Sequence, residues 1–106
     1  VASISIYAGA LAPESLTVRV HRKAGSTFDA TTGTACHFIV RAENGDEVVW
    51  PAIIAAAAMD VATMVHTFDA LGLETAQPGR YRLYPHLDLP GGGVARGVPL
   101  NLFILE

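Results

Sequence analysis

At 106 residues, 51% of them hydrophobic, the chain is long enough for one domain (1–106) with a core of its own, and it is not a disordered tail. Its net charge of −3, with seven Lys and Arg against ten acids, argues against a nucleic-acid partner held by phosphate neutralisation. A single cysteine, Cys36, excludes an internal disulfide, and no run approaches the ~20 apolar residues of a membrane-crossing helix, so no membrane partner is expected.

Charged residues are sparse, 16% against the roughly 25% usual in globular domains, so part of the surface is expected to be covered by neighbours. From the N-terminus, "SISIY" alternates with Ile4 and Ile6 on one face. "LTVRVH" places Leu16, Val18 and Val20 inward and Thr17, Arg19 and His21 outward, and the following His21-Arg22-Lys23 reads as a solvated strand end. "ACHFIVRA" sets Cys36, Phe38 and Val40 against His37, Ile39 and Arg41, which makes Cys36 a buried, inert thiol. Asn44-Gly45 then predicts a hairpin, because both residues tolerate positive φ, and "EVVW" is the return strand.

The stretch "WPAIIAAAAMDVATMVHTF" (50–68) fits two periods at once. Its alanines and the spacing of Ile53, Ile54, Ala57, Val61, Met64, Val65 and Phe68 suit a helix. Pro51 pushes Trp50 toward extended geometry, however, and Val61, Thr63, Val65 and Thr67 are poor helix formers at strand spacing. The reading adopted is strand over 47–55, turn over Ala56–Asp60 and strand over 61–68, with the helix as alternative.

"AQPGRYRLYPHLDL" opens on a Pro78-Gly79 turn and continues as a strand. Tyr81, Leu83 and Leu87 face one way, and Arg80, Arg82, Tyr84 and His86 the other. "PGGG" (90–93) is a second turn, and "PGGGVARG" a hairpin tip. In "VPLNLFIL", Leu100, Leu102 and Ile104 supply a core face opposite Asn101, Phe103 and Leu105. A strand apolar on both faces is either central in its sheet or half covered by a partner. One form of covering would be the 69–79 connection, with Leu71 and Leu73 as a lid.

The strands so read are 3–7, 16–22, 35–42, 47–55, 61–68, 80–88 and 98–105, with turn signals at intervals that predict an all-β, immunoglobulin-like sandwich of about seven strands. Trp50, the one tryptophan, is sized to fill the space between two sheets. Tyr81, just after "QPG", is placed for a hydroxyl tie to the preceding corner. Core candidates are Trp50, Tyr81, Phe38, Leu83 and Leu102. Interface candidates are Phe103, Leu105, Tyr84 and Tyr7.

In order along the chain, "IYAGALAPESLTVRV", "CHFIVRAENGDEVVWPA" and "HTFDALGLETAQPGRYRLYPHLDLPGG" are similar to the small immunoglobulin-like structural proteins of tailed-bacteriophage virions. They resemble in particular the N-terminal domain of baseplate upper proteins. The matching pieces are Asp29-Ala30-Thr31-Thr32, Val40 to Gly45, Trp50, Pro78 to Tyr81 and Pro90 to Gly92; the alanine run 55–58 departs from the more polar turn expected there. The resemblance implies a multi-copy accessory protein of the head, neck or tail, made in the host cytoplasm and located in the virion. Its partners would be other virion proteins and copies of itself, and it implies neither a cofactor nor catalytic residues.

No residue pattern points to an enzyme. His21, His37, His66 and His86 fall on four separate strands, on outward or mixed faces, without the close spacing of a metal site. Asp29, Asp46, Asp60, Asp69 and Asp88 lie at strand ends, where carboxylates serve turns. The alternative function is a carbohydrate-binding or adhesion module, which would stack exposed aromatics on sugar rings. Tyr84 is the best candidate for that, ahead of Tyr7 and Phe103.

Overall fold

The computed structural model describes residues 3–10, 14–21, 31, 33–69, 71–72 and 74–106. The alternating segments form β1 (Ser3–Tyr7), β2 (Ser15–His21), β3 (Ala35–Ala42), β4 (Glu47–Ala57), β5 (Val61–Thr67), β6 (Gly79–Asp88), β7 (Val94–Arg96) and β8 (Leu100–Leu105). The Asp29–Thr32 segment of the phage-like pattern lies outside the described residues apart from Thr31, as do Arg22 and Lys23.

The strands follow one another across a curled sheet in the order β1-β8-β6-β3-β4-β5-β2. The sheet folds over at β4. Residues Glu47 to Ala52 pair with β3, and Ile53 to Ala57 pair with β5, with a register shift between Ile54 and Ala56. One strand therefore belongs to both layers of a sandwich, and the fold is all-β.

This settles the stretch at 50–68 as two strands. The alanine-rich half of β4 runs to Ala57, two residues further than predicted, and Ala58 N–H donates to the Val61 carbonyl at 2.8 Å to close the turn. Helix propensity loses here because the ladder with β5 satisfies the backbone, while β-branched Val61, Thr63, Val65 and Thr67 hold β5 extended. Pro51 has no N–H for a ladder and sits near the changeover, where its carbonyl accepts from a side chain instead.

The core lies between the layers. Phe38, Trp50, Met64, Leu83 and Leu102 are its largest fully buried apolar side chains apart from Pro85. Leu16, Val18 and Val20 from β2 and Leu100 and Ile104 from β8 complete it. Tyr81, a predicted core residue, is instead half-buried against the edge of this cluster, and its hydroxyl donates to the Gln77 carbonyl at 2.7 Å. A phenol at the rim keeps its oxygen within reach of the corner backbone, which full burial would prevent.

Two further differences from the sequence reading are local. Only Gly45 in the β3–β4 turn has positive φ (93°), and Ala42 N–H donates to the Asp46 carbonyl at 2.9 Å. The connection is thus a three-residue loop with glycine in the left-handed position, and not a two-residue Asn-Gly turn. Asn44 instead receives the Asp46 N–H on its side-chain oxygen at 3.0 Å.

The segment Val94–Arg96, read from the sequence as part of the hairpin tip, is a short strand, β7, and the predicted strand 98–105 forms as β8 from Leu100. β7 pairs with the end of β6 and β8 with its beginning, and Gly97-Val98-Pro99 separates them. Gly97 is required there: a Cβ would run into Val20 Cγ1 of β2. β8 lies between β6 and β1, and its pairing with β1 is parallel.

Candidate functional site

Alternation along β6 turns Leu83, Pro85 and Leu87 into the core, leaving Arg80, Arg82, Tyr84 and His86 on the outer face of the larger layer. Register then shows which residues of other strands stand beside them. Phe103 lies between Ser5 and Arg80. Asn101, Arg82, Arg41 and Glu47 form the next row, followed by Tyr84, Ile39 and Val49. Beyond these come Arg96, His86, His37 and Pro51. Tyr7 pairs with Leu105 at the other end of the same face.

The four interface candidates therefore share one surface. Tyr7 is 71% exposed and Leu105 40%, while Phe103 and Tyr84 are half-buried among their neighbours. Val49 of β4 adds an exposed aliphatic side chain. Of the proposed lid, Leu71 is 76% exposed and covers nothing, and Leu73 lies outside the described residues.

The face is also where the basic residues collect. Arg41, Arg80, Arg82 and Arg96 are four of the chain's seven Lys and Arg. Arg41 donates from Nε to Glu47 Oε2 at 2.7 Å, and its guanidinium lies 4.9 Å from the centre of the Tyr84 ring. The hydrogen bond and charge of Glu47, with a smaller contribution from Tyr84, push the Arg41 pKa up. His37 and His86 meet edge-on with ring centres 5.1 Å apart. Partial burial, then the proximity of His37 and Arg96, lowers the His86 pKa against the opposing pull of Asp88. Both effects favour the neutral imidazole.

Individual outward residues were legible from the two-residue period. Their grouping was not, because it depends on which distant strands are neighbours. The arginines were read as polar alternation; Arg80, Arg82, Tyr84 and His86 in strict succession were the signal that this face would be cationic and aromatic.

One histidine corrects the sequence reading outright. His66, expected on an outward or mixed face, is 3% exposed. Its Nδ1 donates to the Pro51 carbonyl at 2.6 Å, and its Nε2 meets Glu74 Oε1 at 3.0 Å. The ring stacks on Trp50 with centres 4.9 Å apart, and Phe68 packs edge-on against both. Burial is tolerated because both ring nitrogens have partners. Glu74 also accepts the Asp69 N–H at 2.8 Å, so this cluster ties Asp69 and Glu74 to the core through His66.

Cys36 is buried, and burial together with the negative charge of Asp88 pushes its thiol up to about 11. Little thiolate exists at neutral pH, which leaves it a poor nucleophile. Among the described residues, no three His, Cys, Asp or Glu side chains gather into a group that could hold a metal. Compared with known families and characterised proteins, the sequence matches no family model and no curated protein.

Proposed function

We propose that the chain is a non-enzymatic, immunoglobulin-like structural component of a tailed-phage virion, an accessory head, neck or tail protein that works through protein–protein contacts in a multi-copy assembly. The observation that carries this reading is the outer face of the larger layer. Phe103, Leu105, Tyr84 and Tyr7 share that face with exposed Val49, and the arginines of the face stand between them. The topology supports the immunoglobulin-like assignment: first and last strands pair in parallel, and β4 passes between layers. A tyrosine tied to its own corner adds to it.

A sugar-binding module fits less well. The Tyr84 ring, its best stacking platform, is covered by the Arg41 guanidinium.

Two measurements test the proposal. Portal, capsid and tail genes are expected beside the coding sequence, and a neighbourhood of unrelated metabolic genes would count against it. In particles, Phe103→Ser is expected to leave the domain folded by circular dichroism while its occupancy falls several-fold. Wild-type occupancy would place the interface elsewhere, and an unfolded variant would make Phe103 part of the core.

A further inference from the structure

Between the β3–β4 turn and the start of β6 lies an open concavity of about 550 Å³, lined chiefly by Arg41, Glu43, Arg80, Arg82, Asn101 and Phe103. Opposite charges border it without neutralising one another. Among the described residues, Arg41 pairs with Glu47, whereas Arg80, Arg82 and Glu43 enter no ion pair. Arg41 and Arg82 are moreover direct cross-strand neighbours. Like charges in that position destabilise a sheet, so the isolated domain gains nothing from the arrangement. Interleaved carboxylates at Glu43 and Glu47 make the patch one of mixed sign, unlike a track for a uniform polyanion.

A patch holding both signs side by side is complementary to itself when turned through a half rotation. We propose that a second copy of this chain docks on this face about a two-fold axis near Phe103, so that Arg80 and Arg82 of each copy meet Glu43 of the other. Phe103, beside the methylenes of Arg80, forms the apolar centre, and the charges form the rim, the usual anatomy of an interface. Such a contact closes as a dimer. The strands of the larger layer, five to ten residues long at ~3.3 Å per residue and ~4.8 Å apart, give a face of roughly 550 Å² in projection, so that two copies together cover just over the ~1,000 Å² a specific interface needs.

The inference names a partner for the face assigned above and rests on that assignment. Sedimentation velocity of the purified chain, from micromolar to submillimolar concentration at low and high salt, tests it. A monomer–dimer equilibrium weakened by salt is expected. Arg80→Glu with Arg82→Glu, and separately Glu43→Lys, should each weaken dimerisation at least about tenfold while the β-type circular dichroism is unchanged. Mixing the two variants should restore association, because the altered charges are then opposite across the axis. A monomer at every concentration, a dimer insensitive to both variants, open-ended oligomers, or failure of the mixture to associate would each overturn the proposal. A chain that stays monomeric yet loses particle occupancy with Phe103→Ser would sink the dimer alone and leave the virion reading standing.

Discussion

At position 36 the protein holds a thiol whose charged form the fold disfavours. Its pKa rises from the usual 9.0 to about 11 in the folded chain. Below about pH 9 the thiol is protonated in both states and adds no pH dependence. Between the two values the unfolded chain releases its proton first, so the folded state binds more protons and stability falls as pH rises. The loss is at most about 3 kcal/mol. Comparing urea midpoints on both sides of that window, Cys36→Ala should show a shallower decline than the wild type; equal declines would mean that the thiol titrates alike in both states. At this scale the sequence was informative where a residue's burial follows from alternation, as for Cys36 and Phe38. It failed for His66, whose inward position on β5 also obeys alternation. Its polarity suggested the surface, and the partners that make burial tolerable, Pro51 and Glu74, are supplied by other parts of the chain.

Among the elements, the β7–β8 pair shows how a short break can fix the distance between layers. Gly97 N–H donates to the Pro85 carbonyl, and Val98 N–H reaches across to the His21 carbonyl at the end of β2, both at 3.1 Å. The break therefore touches the smaller layer directly, and only a residue without a side chain fits against Val20. Gly97→Ala is expected to cost about 1–3 kcal/mol through overpacking. In a double-mutant cycle followed by urea denaturation, Val20→Ala should recover part of that cost, giving a coupling of more than ~0.5 kcal/mol. Strictly additive effects would show that the layers shift apart without strain. β7 escaped the sequence reading because "VAR" is too short for a detectable period and follows a run of three glycines. Gly97 was visible as a residue, but the reason for it lies on β2, more than seventy positions away.

For the molecule as a whole, strand character was local information and pairing was not. Two-residue alternation revealed the all-β class and nearly every strand, while the layer change within β4 depends on contacts to β3 and β5 that no local pattern specifies. That shared strand has an energetic consequence. The layers cannot separate without breaking β4 midway, beside Trp50, which is 2% exposed. Unfolding should therefore be a single cooperative step. Tryptophan fluorescence and far-ultraviolet circular dichroism are expected to give coincident urea transitions. A fluorescence change that precedes the loss of strand signal would show that one layer survives alone.

The parallel pairing of β1 with β8 also decides how the domain meets a mechanical load. Ser3 stands beside Asn101 and Tyr7 beside Leu105, so the two strands run the same way and their outer ends point in opposite directions. A pull toward the beginning of β1 and past the end of β8 slides one strand along the other. All hydrogen bonds of the ladder then resist together, whereas an antiparallel hairpin pulled at its open end yields one bond at a time. Tension along this axis is met by shear, with the whole ladder loaded at once.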